Sequence, residues 1–324
     1  LRIVSLVPVA PTEPLYVIEK SYKSLKALET NGFTHSVYYI IDVDGSETND
    51  KKLNELMAKG VKIISRKPRG KRAGAINDAL DNIGECDYIA IFDVDSRPEK
   101  NFLKACLRAM EGENVFIVSS PRAVSNGSEK WLTRIVALEY EVIGYLYKKF
   151  SGGFLQFNGL IGLIRFDLLK KFRLNEERIC EDVDFTTRMY LQGYRAELTS
   201  ETLIREQAPV NIFDLISQRV RWYSGALEAI RYCWKFFKGP MPIRTKIQWI
   251  AAMVLPFIII VFFPLNLLSP ILTFKKTRKL GEALKLTCGL AIHTIILQVS
   301  ALVAIFNLVS GKKIVWKPPE RSKA

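Results

Sequence analysis

Residues 88–98 read YIAIFDVDSRP. Tyr88 to Phe92 form an apolar run that suits a buried strand of a parallel sheet. The run ends on Asp93, Val94 and Asp95, and Arg97-Pro98 closes it. In an open parallel sheet, ligands bind beyond the carboxyl ends of the strands. Two carboxylates at i and i+2 on such an end can reach one divalent ion, or a ribose and an ion. Hard oxygen donors select Mg2+ or Mn2+, and these ions bind diphosphates.

The residues on either side set that strand in a repeating pattern. RIVSLVPV (2–9) is an apolar strand stopped by Pro8 and Pro11. Leu15, Ile18, Tyr22, Leu25 and Leu28 follow at three- and four-residue spacing, one face of a helix, with Gly32 as its stop. SVYYIID (36–42) is a second strand. Leu53, Leu56 and Met57 mark a short helix closed by Gly60, and VKIIS (61–65) is a third strand. AGAINDALDNIG (73–84) reads as a helix, and Phe102, Leu103, Cys106, Leu107 and Met110 as another. Strands alternating with helices of this length predict an α/β fold, a mostly parallel sheet with helices on both faces. A second strand end, IIDVDGS, carries Asp42 and Asp44.

After residue 119 the alternation stops. Residues 129–150 make a long, mostly apolar helix that contains Glu139 and Glu141, and 153–164 are rich in Gly, Phe and Ile. A helix is expected to start at EDVD (181–184), because carboxylates are favoured at helix N-termini, and to end at Gly193. Residues 211–238 mix aromatic and basic side chains, as a helix at a membrane surface does.

The 324-residue chain has room for one large domain with appendages. Residues 249–272 and 286–309 contain no charge, and roughly 20 apolar residues cross a bilayer core as a helix, so both runs qualify as spans. The net charge is +14. Beyond residue 272, ten Lys and Arg face only Glu282 and Glu320, a distribution suited to anionic headgroups. No helix-turn-helix, zinc-finger or RNA-motif pattern appears, so nucleic acid is not expected as a partner. Five scattered cysteines form no Cys-x-x-Cys, which argues against a disulfide framework or zinc site and for a reducing compartment.

No G-x-G-x-x-G follows the first strand, and no G-x-x-x-x-G-K-[ST] is present. The strand followed by Asp42-Val43-Asp44-Gly45-Ser46 resembles the haloacid-dehalogenase phosphatases, with Asp42 as nucleophile and Asp44 as general acid. That reading leaves FDVDSRP, the membrane spans and the Trp-containing motif below without a role. A non-catalytic, membrane-anchored nucleotide-binding module is a further alternative.

Taken in order, VSLVPVAPTEP, DVDGS, GKRAGAIN, FDVDSRP, FNGLIGLIR, CEDVDFTTRMYLQGYR and QRVRW resemble a membrane-bound family 2 glycosyltransferase of GT-A fold. The Gln-x-x-Arg-Trp before two spans resembles cellulose, chitin and hyaluronan synthases and ceramide glucosyltransferases. The resemblance implies that Asp93 and Asp95 are the metal-binding pair, Asp95 on the ion and Asp93 near the ribose or a metal-bound water. It implies that Pro8, Asp42 and Asp44 lie on the nucleotide side, with Lys71 or Arg72 meeting diphosphate charge. It makes Asp182, beside Glu181, the base that takes the acceptor proton. A single base implies inversion at the anomeric carbon. Gln218, Arg221 and Trp222 lie at i, i+3 and i+4 and share a helix face. Arg221 suits the leaving pyrophosphate, and Trp222 offers a flat plate for a sugar or lipid-linked acceptor. Asn158 and Gly159 are expected on the acceptor side.

The implied organisation is a catalytic domain at 1–235, an interfacial segment at 236–248, two transmembrane helices within 249–310 and a basic cytoplasmic tail at 311–324. The expected substrates are a nucleotide sugar, a UDP-sugar ahead of a GDP-sugar, and a lipid or glycan acceptor at the cell membrane, with the catalytic domain cytoplasmic. Two crossings would put the basic TFKKTRKLGEALK outside, against the positive-inside tendency. Pro256, Pro264 and Pro270 also allow a re-entrant hairpin in its place.

Overall fold

The computed structural model describes residues 1–43, 47–312 and 320. The first part of the chain alternates strand and helix as the sequence predicts. β1 (Arg2–Val9), α1 (Leu15–Lys26), β2 (Thr34–Asp42), α2 (Glu47–Ala58), β3 (Lys62–Arg66), α3 (Lys71–Asn82) and β4 (Tyr88–Ile91) follow in turn. β5 (Arg97–Pro98), α4 (Phe102–Ala109), β6 (Val115–Ser119), β7 (Arg122–Val124) and the long α5 (Trp131–Phe150) come next. After them are β8 (Gly162–Arg165), α6 (Phe166–Phe172), α7 (Glu181–Leu191), β9 (Arg195–Leu198), β10 (Ile204–Glu206) and α8 (Ile212–Ala229). The C-terminal part is helical: α9 (Cys233–Lys238), α10 (Ile243–Ile258), α11 (Ser269–Thr277) and α12 (Leu280–Val309).

Seven strands form one sheet in the order β3-β2-β1-β4-β8-β6-β9. β8 runs antiparallel to β4 and β6; the other pairs are parallel. β1 has β2 on one side and β4 on the other, so the strand order reverses at β1, where sheets of this kind open a crevice. The period of two along each strand divides the core into two layers. Val4, Leu6, Ile89 and Ile91 face one layer, with α3 and α7, while Ile3, Val7, Ala90 and Phe92 face the other, with α1, α2 and α4. Val94 joins the second layer although β4 has ended. That valine therefore pins the turn between Asp93 and Asp95 from below. Burying a valine stabilises by about 1.5–3 kcal/mol, enough to hold a short turn in one conformation.

Three features differ from the sequence expectations. Met57, assigned to the buried face of α2, is 60% exposed. The expected helix over 211–238 is interrupted by a 3-10 turn at Ile230–Tyr232 that separates α8 from α9. A second sheet, β5-β10-β7, was not anticipated, because strands of two or three residues are too short to show a period.

Among the described residues, two helical stretches are long and apolar enough to cross a membrane, Ile243–Pro264 and Leu280–Val309. The first does not continue to residue 272 as one α-helix. It carries Pro256 and passes into a 3-10 segment, Ile259–Leu268, that holds Pro264. Proline removes an N–H and crowds the preceding turn, so a break there is expected. α10 also runs without a break from residue 243 through residue 249. Its Trp249 is buried, stacks on Phe236 at 4.6 Å between centroids, and donates to Thr187 Oγ1 at 3.2 Å. α12 packs on both α5 and α8.

Candidate active site

The cleft opens at the carboxyl ends of β1, β2 and β4 and has a volume of about 350 Å³, a size typical of small-molecule sites. Every described residue that the sequence singles out lines it: Pro8, Asp42, Lys71, Arg72, Asp93, Asp95, Asn158, Gly159, Glu181, Asp182, Gln218, Arg221 and Trp222. Asp44 lies outside the described residues. Residues as far apart in sequence as Pro8 and Trp222 thus face one space.

At the end of β2, the Asp42 carboxylate is 3.0 Å from Arg66 Nε, close as an ion pair but poorly aligned as a hydrogen bond. Burial raises the Asp42 pKa; Arg66 opposes the shift and Asp78 adds to it. Arg72, on the first turn of α3, bridges the two halves of the cleft. Its Nη2 lies 3.0 Å from Asp93 Oδ1, its Nη1 donates to Glu181 Oε1 at 2.8 Å, and Nη2 also donates to the Gly159 carbonyl at 2.6 Å. Arg72 is thus matched by two carboxylates, and Lys71 stands exposed at the rim. Burial would depress the Arg72 pKa, but Asp93, Glu181 and Asp182 outweigh it and hold the guanidinium charged.

Asp95 Oδ2 accepts from the Gln207 amide at 3.3 Å. Glu206, at the end of β10, pairs with Arg122 Nη1 at 3.0 Å, while its Oε1 is buried with no hydrogen-bond partner. Burial raises the Glu206 pKa to about 7; Arg122 opposes the shift, and the charges of Asp93 and Asp95 add to it. The hard oxygen donors at the strand end are the pair Asp93 and Asp95. Among the described residues no three His, Cys, Asp or Glu side chains are grouped so as to hold a metal ion. That openness suits Mg2+, which is held by one or two carboxylates while phosphate and water complete its shell.

Asp182 begins α7 and is 8% exposed. Its Oδ2 accepts from Gly159 N at 2.5 Å and its Oδ1 from Val183 N at 2.9 Å, so both oxygens are oriented. Burial and the neighbouring Glu181 raise its pKa; the two amides and Arg221 moderate the rise. Gly159 has φ 64, in the left-handed region that favours glycine. A Cβ there would also approach Arg72 Nη2 to 3.1 Å and Asp93 Oδ2 to 3.5 Å. On α8, Gln218, Arg221 and Trp222 face the cleft together, and Gln218 Oε1 is buried without a partner.

Sequence reasoning missed Arg122, Tyr140, Arg178, Glu206 and Gln207, all lining the same cleft. Arg122, Glu206 and Gln207 belong to the short second sheet or border it, where no periodicity draws attention to them. Tyr140 follows Glu139 on α5; two acids within a mostly apolar helix were the available signal.

A mixed sheet with a carboxylate-lined cleft at its switch point defines the class of this protein as a GT-A-like transferase fold. Its solved neighbours carry that fold. The mannosyltransferase PcManGT from Pyrobaculum calidifontis, solved with GDP-Man and Mn2+, superposes with a TM-score of 0.65 at 17% identity, covering 96% of this chain and 88% of that one. TarS 1–349 from S. aureus superposes with a TM-score of 0.51 at 14% identity, covering 96% and 92%.

Residues 88–302 match the glycosyl transferase family group 2, and the chain belongs to that family. The curated relatives it matches carry names of glycosyltransferases. Among curated relatives, the probable glucomannan 4-beta-mannosyltransferase 3 of Oryza sativa subsp. japonica is 28% identical over 240 residues, 66% of this chain and 43% of the relative. The beta-monoglucosyldiacylglycerol synthase of Trichormus variabilis is 26% identical over 241 residues, 72% of this chain and 51% of the relative. The matched region thus spans about half, or less, of these relatives' length. Family membership leaves the phosphatase and the non-catalytic module without support.

Proposed function

We propose that this chain is an inverting, divalent-cation-dependent glycosyltransferase that moves a hexose from a nucleoside-diphosphate sugar to a lipid or glycan hydroxyl at a membrane. The observation that carries this reading is that the paired carboxylates Asp93 and Asp95, the oriented Asp182 and the Gln218–Arg221–Trp222 face all line one cleft. Asp93 and Asp95 would hold Mg2+ or Mn2+, which neutralises diphosphate charge when bound. Pro8 and Asp42, with Asp44, belong to the nucleotide side. A UDP-sugar is expected ahead of a GDP-sugar.

Asp182 acts as base, with Glu181 beside it. Its oxygens are fixed by the Gly159 and Val183 amides, and its raised pKa makes it a stronger proton acceptor than an exposed aspartate. The acceptor oxygen bonds to the anomeric carbon as the bond from that carbon to the phosphate oxygen breaks. The acceptor proton passes to Asp182, and the bonding pair leaves with the nucleoside diphosphate. Arg221 faces the developing negative charge. Trp222 supplies a flat apolar wall for the acceptor, with Asn158 and Gly159 beside it. Domain limits near 235, 249 and 310, two membrane crossings and a cytoplasmic catalytic domain complete the proposal. The two long apolar helices support the membrane reading.

The test is a donor screen of the purified full chain in detergent with Mg2+ or Mn2+ and UDP- and GDP-sugars, against diacylglycerol and oligosaccharide acceptors. Product with the opposite anomeric configuration to the donor, formed only with the cation, supports the reading. A retained configuration, or equal turnover in a chelator, contradicts it.

A further inference from the structure

Arg219 sits between two residues of the Gln-x-x-Arg-Trp face but points away from the cleft. It is 2% exposed. Its Nη2 donates to Glu139 Oε2 of α5 at 2.6 Å, and the same oxygen lies 3.0 Å from His293 Nε2 of α12. The guanidinium carbon lies 4.2 Å from the Trp222 ring centroid. A buried charge is costly unless paired, and here one carboxylate oxygen meets both the Arg219 guanidinium and the His293 imidazole. Three helices therefore meet at a single atom: α5, the cleft helix α8 and the long apolar helix α12. Arg219 Nε and His293 Nδ1 remain buried without a hydrogen-bond partner. The cluster thus carries more polar groups than packing alone would require.

We infer that Arg219 is a positioning residue for Trp222: it covers one face of the indole and leaves the other for the acceptor, while Glu139 and His293 register it to α12. The inference rests on the reading of Trp222 as the acceptor wall. It gives the apolar hairpin a role in catalysis beyond anchoring. α12 sets the place of a side chain that touches substrate, so a displacement of α12 is felt at the acceptor and not at the donor.

The experiment uses the full chain in detergent with R219M, R219K, E139Q, H293A, W222F and W222A. The Trp222 emission is read without substrate, as the spectrum of each chain minus that of its W222F counterpart. In R219M and E139Q the Trp222 contribution is expected to shift and to become more open to acrylamide, with R219K intermediate and H293A shifting in the same direction. Binding of UDP or GDP with Mn2+ stays unchanged. With diacylglycerol and mannobiose as acceptor probes, R219M raises the acceptor KM about tenfold, as loss of a desolvated cation–π contact implies. It adds nothing further in the W222A background, whereas a merely structural role gives additive losses. An unchanged Trp222 spectrum in R219M and E139Q overturns the inference, as does additivity with W222A. If W222A itself leaves the acceptor KM unchanged, the acceptor-wall reading fails, while the spectra still decide whether Arg219 holds the indole.

Discussion

Gly159 shows how narrow the tolerances of the cleft are at the scale of single residues. Its amide orients Asp182, its carbonyl accepts from Arg72, and its φ lies where a Cβ is strained. Gly159→Ala should cut transfer at least about tenfold, since misplacing a catalytic group by an ångström costs on that scale or more, while Tm falls by only a few degrees. Steady-state rates and a melting curve check both parts. The raised pKa of Asp182 predicts that the acid limb of the transfer rate lies above the ordinary aspartate range. A pH profile that holds flat down to that range contradicts the base assignment. Glu206 gives a stability prediction. Its carboxyl, pushed up to about 7, keeps a proton in the folded chain at pH values where the unfolded chain has lost it. The associated stability is therefore full at low pH and lost as pH rises through about 7. Melts in a chelating buffer should show Glu206→Gln close to wild type at pH 5. At pH 8 it should be more stable than wild type by about 1–3 kcal/mol.

At the scale of elements, the close contact of α7 with α8 depends on Gly225. A Cβ there would collide with Cys180 Cβ and Sγ, at the residue that caps α7 just before Glu181 and Asp182. Gly225→Ala should destabilise by about 1–3 kcal/mol through overpacking, and should lower transfer more than nucleotide binding because the base moves and the donor carboxylates do not. Chemical denaturation and calorimetry separate the two effects. The long elements were legible because their periods are long enough to read. β1, β2 and β4 show alternating or continuous apolar runs, and α1 shows a 3.6-residue stripe ending before a glycine turn. The Asp93–Asp95 turn was legible because a charged pair after an apolar strand has no place in a core. β5, β7 and β10 were not, and Arg122 and Glu206 were missed with them. Their placement depends on pairing between segments 82 and 106 residues apart, Arg122 and Pro98 each with Ile204, which local sequence does not encode. Met57 was misread because the penultimate residue of a helix can face solvent as readily as core.

At the scale of the whole molecule, one sheet gathers the groups proposed for the donor and two later helices gather those proposed for the acceptor. The strand ends of β1, β2 and β4 bring Pro8, Asp42, Asp93 and Asp95 to the switch point. The start of α7 and one face of α8 bring Asp182, Gln218, Arg221 and Trp222 opposite them. Arg72 spans the gap through its ion pairs with Asp93 and Glu181. Arg72→Ala is expected to weaken nucleotide binding, because it removes a cation proposed to meet the diphosphate, and to lower Tm, because it leaves Glu181 buried without its partner. The central claim is that the two carboxylate centres serve one bound molecule. The most direct measurement is calorimetric binding of UDP-sugars and GDP-sugars with Mn2+ to wild type, Asp95→Ala and Asp182→Asn, paired with transfer assays on the same preparations. The account predicts that Asp95→Ala loses cation-dependent binding, while Asp182→Asn binds donor as wild type does and transfers no sugar. Full transfer by Asp182→Asn, or unchanged cation-dependent binding by Asp95→Ala, would contradict it.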